Sequence, residues 1–358
     1  MSATPTPPRL PSLDGLRAIS ISLVLYSHLA GTGGFARQPV FSLHAGNFGV
    51  RVFFVISGYL ISTLLFSELE RTGKISLGKF YFRRAFRIFP AFYATVAVVG
   101  ALATMGALTL APGDVAHAMT YTTNYHYVRA WNLGHMWSLA VEEQFYLLWP
   151  AALLFFGKRR GLQFAAAFVL LGPAIRIASL KLHLGPEAGI GESFQTIGDS
   201  IAAGCLLAGV QSQLRESPRY RAFQDSALFV AVPLLVFGFA FLSRRPLIDF
   251  AVGQTTMNIG IALIVDWAIR HHDGRIGRLL NARPLVFVGT LSYSLYLWQQ
   301  MFLNRKLAAS YTAFPVNILL ATAAALVSYY VIEKPFLRLR EGVEPRWFPR
   351  ASPRAVSA

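Results

Sequence analysis

A single cysteine, Cys205, stands in 358 residues, so the chain can form no internal disulfide and no cysteine-based metal cluster. Charge is scarce as well. Asp, Glu, Lys and Arg together make up 14% of the residues, against about 25% in soluble globular proteins. Acids are the rarer sign, 17 against 33 Lys and Arg, which leaves a formal net charge of +16. No nucleic-acid module and no groove of interleaved basic and aromatic residues accompanies that charge, so no nucleic-acid partner is expected. Also missing are internal repeats and low-complexity runs outside the termini. The first apolar run has neither the basic n-region nor the small-residue cleavage site of a signal peptide. No metal centre and no tightly bound cofactor are expected.

What fills the chain is apolar: 54% of residues are hydrophobic and the mean hydropathy is +0.46. Runs of about 18–22 residues, long enough to cross a bilayer, lie near 14–31, 46–66, 90–109, 138–157, 162–181, 195–212, 227–243, 249–269, 285–304 and 314–333. They predict an all-α, polytopic membrane bundle of about ten transmembrane helices. Basic residues crowd alternate linkers: Arg71 to Arg87, Lys158 to Arg160, Arg215 to Arg221, Arg270 to Arg283, and the tail from Lys334. The positive-inside rule then places both termini in the cytoplasm. The expected organisation is a flexible, Pro-rich N-terminus over 1–12, a membrane domain over 13–340 and a basic tail over 341–358.

Within these runs the polar residues stand out, because ionisable groups at membrane depth are costly and normally face protein or a water-filled path. Arg17 and His28 are eleven apart in the first run. A helix brings them to about 20° of one line and about 16 Å apart along its axis. Snorkelling at the two membrane faces is the alternative reading. The fourth run begins His135-Met-Trp137-Ser138 and carries Glu142, Glu143 and Gln144 in a row. His135, Ser138, Glu142 and Tyr146 share one broad face, and at least one of the two acids should meet a partner or a polar cavity. Arg51, Ser57 and Gly58 interrupt the second run, Asp199 opens the sixth, and Ser292, Tyr293 and Tyr296 sit in the ninth. Gly58 with Ser57 is also readable as a close-packing position. Arg83, Arg84 and Arg87 precede Pro90 at helical spacing, as a headgroup-binding flank or as a phosphate site. Glu333-Lys334-Pro335 is expected to end the last helix, since a proline disfavours helix at the residue before it.

In order along the chain, LDGLRAISISLVLYSH, FGVRVFFVISGYLIS, FRRAFRIFP, LGHMWSLAVEEQFYLLWP, IGDSIAAG, LSYSLYLW and IEKPF resemble the motifs of membrane-bound acyltransferase family 3. Members of that family O-acylate sugars of cell-surface and secreted glycans, and the resemblance spans Leu13 to Arg340. One departure is plain: the family often has His directly after SYSLYLW, where this chain has Gln299 and Gln300. No hydrolase-like domain follows the last helix, so the stand-alone form is expected.

The resemblance implies a membrane O-acyltransferase, in a bacterial inner membrane, moving an acyl group from cytoplasmic acyl-CoA to a saccharide hydroxyl outside. Acetyl-CoA is the expected co-substrate, its phosphates held by Arg84 and Arg87 with Arg83 beside them. His28 is implied as general base or transient acyl carrier, and Arg17 as a residue that holds the donor or lines its path. Glu142 or Glu143 is implied to orient His28 or take its proton. Asp14, Arg51, Ser57, His135, Trp137, Ser138, Tyr146, Asp199, Ser292, Tyr293 and Tyr296 are the candidate pocket residues. A transporter or flippase would also carry buried charges, but no inverted repeat or matched pair of broken helices is visible.

Overall fold

The computed structural model describes residues 10, 12–36, 39–184, 191–242 and 245–348. Most of the expected flexible N-terminus and the end of the basic tail therefore lie outside the described residues. Among those described there are helices and no strands. The long helices are α1 (Leu13–Leu29), α2 (Pro39–Thr72), α3 (Leu77–Thr104), α4 (Met136–Lys181), α5 (Asp199–Glu216), α6 (Gln254–Arg270), α7 (Arg283–Phe302), α8 (Val316–Val327) and α9 (Lys334–Trp347).

By length and composition, five helices among the described residues are fit to cross a membrane, or six if the pair Pro218–Asp225 and Ala227–Phe241, bent by 70°, counts as one span. α4 is 46 residues long, more than twice the roughly 20 a crossing needs. Gly157 breaks it, at φ 76° and ψ 169°. That positive φ is open to glycine at little cost, and it separates the two apolar runs expected at 138–157 and 162–181. The last helix does not stop where Glu333-Lys334-Pro335 was expected to end it. A wide turn over Ser328–Glu333 absorbs the missing amide of Pro335, and α9 continues to Trp347. A proline in a first helical turn removes only an N–H that has no intrahelical partner there.

Burying apolar side chains yields little against lipid tails, so close backbone approach and internal hydrogen bonds decide how such helices associate. α1 lies between α2 and α7, and α2 lies along α5. At the α2–α5 crossing the contact is reciprocal: a Cβ on Gly58 would strike the Ile201 carbonyl, and one on Gly204 the Val55 carbonyl. Gly58 is thus a packing residue. Inside α1, Ser20 and Ser22 turn their hydroxyls onto the carbonyls of Leu16 and Ala18, both at 2.8 Å. This satisfies polar groups that lipid could not. Asp14 sits in the first turn and His28 in the last, so one short helix carries an arginine near one end and a histidine at the other.

Candidate functional site

The period of α1 aims His28 at α7, and there the ring meets Gln299 and Gln300. The backbone N–H of His135 can only donate, so the Gln300 amide turns Oε1 toward it, at 3.1 Å. Gln300 Nε2 then faces His28 Nε2 at 3.3 Å. An amide N–H opposite that nitrogen makes Nε2 the lone-pair position. His28 Nδ1 therefore carries the proton, which it donates to Gln299 Oε1 at 2.6 Å. Two glutamines from one helix thus contact both ring nitrogens of His28 and hold its imidazole neutral. His135 lies against the same amide, its Nδ1 2.9 Å from Gln300 Oε1 and its Nε2 3.0 Å from the Leu297 carbonyl.

A cavity of roughly 390 Å³ opens over His28, lined among others by Asn47, Tyr127, Trp131, His135, Trp137 and Tyr296. Trp131 stands edge-on to the His28 ring with centroids 5.3 Å apart, and Trp137 is edge-on to Phe54 at 6.3 Å. The segment that brings Trp131 here is tied down by Asp114, whose carboxylate accepts from Ala111 N at 2.7 Å and Ala130 N at 3.1 Å. Arg129 pairs with Glu192 across the rim and donates to the His126 carbonyl at 2.9 Å. Burial pushes the Glu192 carboxyl above the usual carboxylate range, against the opposing pull of Arg129. Flat aromatic faces beside hydrogen-bonding groups around a histidine form a pocket able to hold a sugar and deprotonate its hydroxyl.

At the other end of α1 the arginines gather. Arg87 on α3 lies in the electrostatic field of Arg17, Arg84 and Glu333, and its side chain is exposed. Arg84 lies over the Tyr146 ring, 3.9 Å from its centroid, and its buried Nε has no hydrogen-bond partner among the described residues. Arg17 pairs with Asp14 at 3.3 Å. Arg84 also provides the positive charge facing Glu143. Glu142 accepts from Tyr146 at 2.5 Å and from Ser57, and Tyr146 lies 3.1 Å from Ser57. Ser294 donates to Glu333 between α7 and the turn preceding α9. Guanidinium donors with spare N–H groups at an accessible position suit phosphate oxygens.

Several expected site residues lie elsewhere. Neither Glu142 nor Glu143 hydrogen-bonds to His28; glutamines occupy its two ring nitrogens. Arg83 is engaged by Glu344 of α9, with Lys79 3.9 Å from the same carboxylate, so it faces away from Arg84 and Arg87. Arg51 donates to Gln254 at 2.7 Å and Asn258 at 3.1 Å, and Asp199 pairs with the fully buried Arg176 at 2.8 Å. These groups knit α2, α4, α5 and α6 together and do not line the His28 cavity. Tyr293 donates to the Ile88 carbonyl at 2.8 Å and fastens α7 to α3. Ser138 and Tyr296 share a hydroxyl contact of 2.5 Å next to the cavity, and Ser292 is buried on α7. Gln144 bonds to Asn124 and the Tyr121 carbonyl, a helix-to-loop knot. Sequence reading missed Trp131, Arg129, Glu192 and Arg305. They lie in polar linkers, where a search for polar residues inside apolar runs gives them no weight.

The family model described as "Acyltransferase domain" matches residues 10–333. An O-acetyltransferase OatA of Staphylococcus aureus is 31% identical over 364 residues, covering 92% of this chain and 57% of the relative. A peptidoglycan O-acetyltransferase OatA of Listeria monocytogenes is 30% identical over 313 residues, covering 81% of this chain and 48% of the relative. The chain thus spans about half the length of these curated relatives. No solved structure matches it.

Proposed function

The chain belongs to the family defined by that acyltransferase domain, and we propose that it is a membrane O-acetyltransferase that passes an acetyl group from acetyl-CoA on one side of the membrane to a glycan hydroxyl on the other. The observation that carries this reading is the pair of opposed chemistries on α1: Arg17 beside Arg84 and Arg87 near one end, and His28 in its aromatic cavity at the other. About 16 Å of helix separates them, a span that a pantetheine arm can bridge.

In this reading Arg84 and Arg87 hold the CoA phosphates at the cytoplasmic face, with Arg17 lining the arm's path. The thioester carbonyl lies near His28. Nε2 takes the proton of the acceptor hydroxyl, the oxygen attacks the carbonyl carbon, and the C–S bond breaks. The CoA thiolate receives the proton from the imidazolium, so the products are an O-acetyl ester and free CoA. Gln299 holds Nδ1 through the cycle and stabilises the positive charge as it develops. A transient acyl-His28 would use the same Nε2 as nucleophile. About ten spans, cytoplasmic termini and a bacterial inner membrane complete the topology. The acceptor taken from the named relatives is the peptidoglycan glycan.

The test is acetyl-CoA turnover by purified protein with soluble peptidoglycan fragments, wild type against His28→Ala. Release of CoA that depends on the fragments and vanishes in the variant is the expected result. Acceptor-dependent release that persists in a folded His28→Ala protein would overturn the assignment of the base.

A further inference from the structure

The rim of the His28 cavity carries two cations with no carboxylate partner among the described residues. Arg305 and Lys306 follow α7 and line the cavity. The charge of Arg129 is matched by Glu192, but among the described residues no ion pair holds Arg305 or Lys306. The Arg305 guanidinium lies over Trp131, 4.9 Å from the ring centroid, and its one hydrogen bond among the described residues is a long 3.4 Å contact to the Ala30 carbonyl. Trp131 is therefore shared: one part of the ring meets His28 and the face carries Arg305. Burial pulls the Arg305 pKa down. The same two residues also line a second cavity of roughly 610 Å³ with Gly31–Phe35 and Leu307–Ser310, so they stand where a chain leaving the His28 cavity would pass.

A half-buried guanidinium with spare N–H groups, stacked on the tryptophan that contacts the catalytic base, is a receptor for an anion on the molecule that the base acts on. Resting on the acetyltransferase reading, we propose that the acceptor is an acidic saccharide: its hydroxyl meets His28 Nε2 while a carboxylate or phosphate on the same or the next residue is held by Arg305, with Lys306 adding charge from the rim. Arg305 is thereby a specificity residue. It does not supply the proton chemistry.

The test compares matched oligosaccharides, one bearing a carboxylate, one with that carboxylate reduced to the alcohol, and one bearing a phosphate. The full-length protein is used as wild type, Arg305→Gln, Arg305→Lys and Lys306→Gln. Binding is followed by the quenching of tryptophan emission and turnover by CoA release. A charge-assisted hydrogen bond is worth roughly tenfold or more. The wild type is expected to favour an anionic acceptor over the neutral one by about tenfold or more, through KM. Arg305→Gln should collapse that ratio and Arg305→Lys restore part of it. Preference for the phosphate or the carboxylate form identifies the source of the anion. Equal binding and equal KM for all three saccharides in the wild type would overturn the proposal, as would an Arg305→Gln defect confined to kcat and equal for every acceptor. If Arg305→Gln fails to fold, the wild-type ratio and the exposed Lys306→Gln still decide. Anion-selective binding without any turnover would support this site while refuting the acetyltransferase reading.

Discussion

Replacing Gln299 by methionine should separate the chemistry of His28 from the stability of the bundle. The substitution keeps the length of the side chain and removes its amide. Gln299 Oε1 is the acceptor for His28 Nδ1 at 2.6 Å, whereas the buried Nε2 of the same amide has no partner among the described residues. Methionine therefore leaves one buried ring N–H unpaired and removes one buried amide N–H that was already unpaired. Each unsatisfied buried group costs about 1–3 kcal/mol, so the two changes offset and folding stability should move by no more than about 1 kcal/mol. Catalysis has no such compensation. In the transition state the ring becomes cationic, and a hydrogen bond to a charged group contributes about 1.5–3 kcal/mol, equal to a loss of roughly 10- to 100-fold in kcat. The assay is CoA release at saturating acetyl-CoA and acceptor, beside thermal unfolding of the purified protein. A Gln299→Met enzyme with wild-type kcat would refute the role assigned to this bond, and with it the tautomer deduced for His28. Gln299→His restores the residue common in the family and should recover part of the rate.

Other outcomes follow from the same geometry. Gln at both Arg84 and Arg87 should raise the apparent KM for acetyl-CoA at least tenfold, by loss of charge-assisted bonds of about 1.5–3 kcal/mol each, with a smaller change in saturated turnover; an unchanged donor KM would return the pair to a lipid-binding flank. Arg83→Ala should leave donor KM untouched, because its guanidinium is held by Glu344, and should instead make α9 easier to cleave in limited proteolysis. Gly204→Ala forces a Cβ onto the Val55 carbonyl and should cost about 1–3 kcal/mol as overpacking, read as a lower thermal midpoint; a wild-type midpoint would mean that α2 and α5 are less closely packed than described. A tag on the C-terminus should be protected from protease in sealed right-side-out vesicles, and its digestion would overturn the cytoplasmic assignment.

How much of this was legible beforehand differs between the two ends of α1. The stripe joining Arg17 and His28 needed only the helical period, which is a local property of the backbone. The three arginines before Pro90 were readable as a headgroup-binding flank or a phosphate site, but not that Arg17 would lie near Arg87 or that Arg83, beside them in sequence, would serve α9. One step along a helix rotates a side chain by about 100°, enough to send neighbours to different partners. At the His28 end neither acid singled out as its partner bonds to it: Glu142 is taken by Ser57 and Tyr146, and Glu143 faces the charge of Arg84. The residues that hold the ring are the two glutamines noted only as a departure from the family pattern.

By itself, then, the sequence determined that this is a helical membrane protein, which segments are apolar enough to form the bundle, and that α1 carries an arginine and a histidine on one face. Composition and a period of about 3.6 residues suffice for that. Tertiary structure alone decided which groups touch the histidine: Gln299 is 271 positions away, and Trp131 and Arg305 arrive from separate polar linkers. It also decided that Arg51 bonds to Gln254 and that Asp199 pairs with Arg176, each between helices. The physical reason is that a partner across a bundle is fixed by how helices pack: Gly58 was readable as a close-packing position, but that it meets Ile201, and Gly204 Val55, no local pattern encodes.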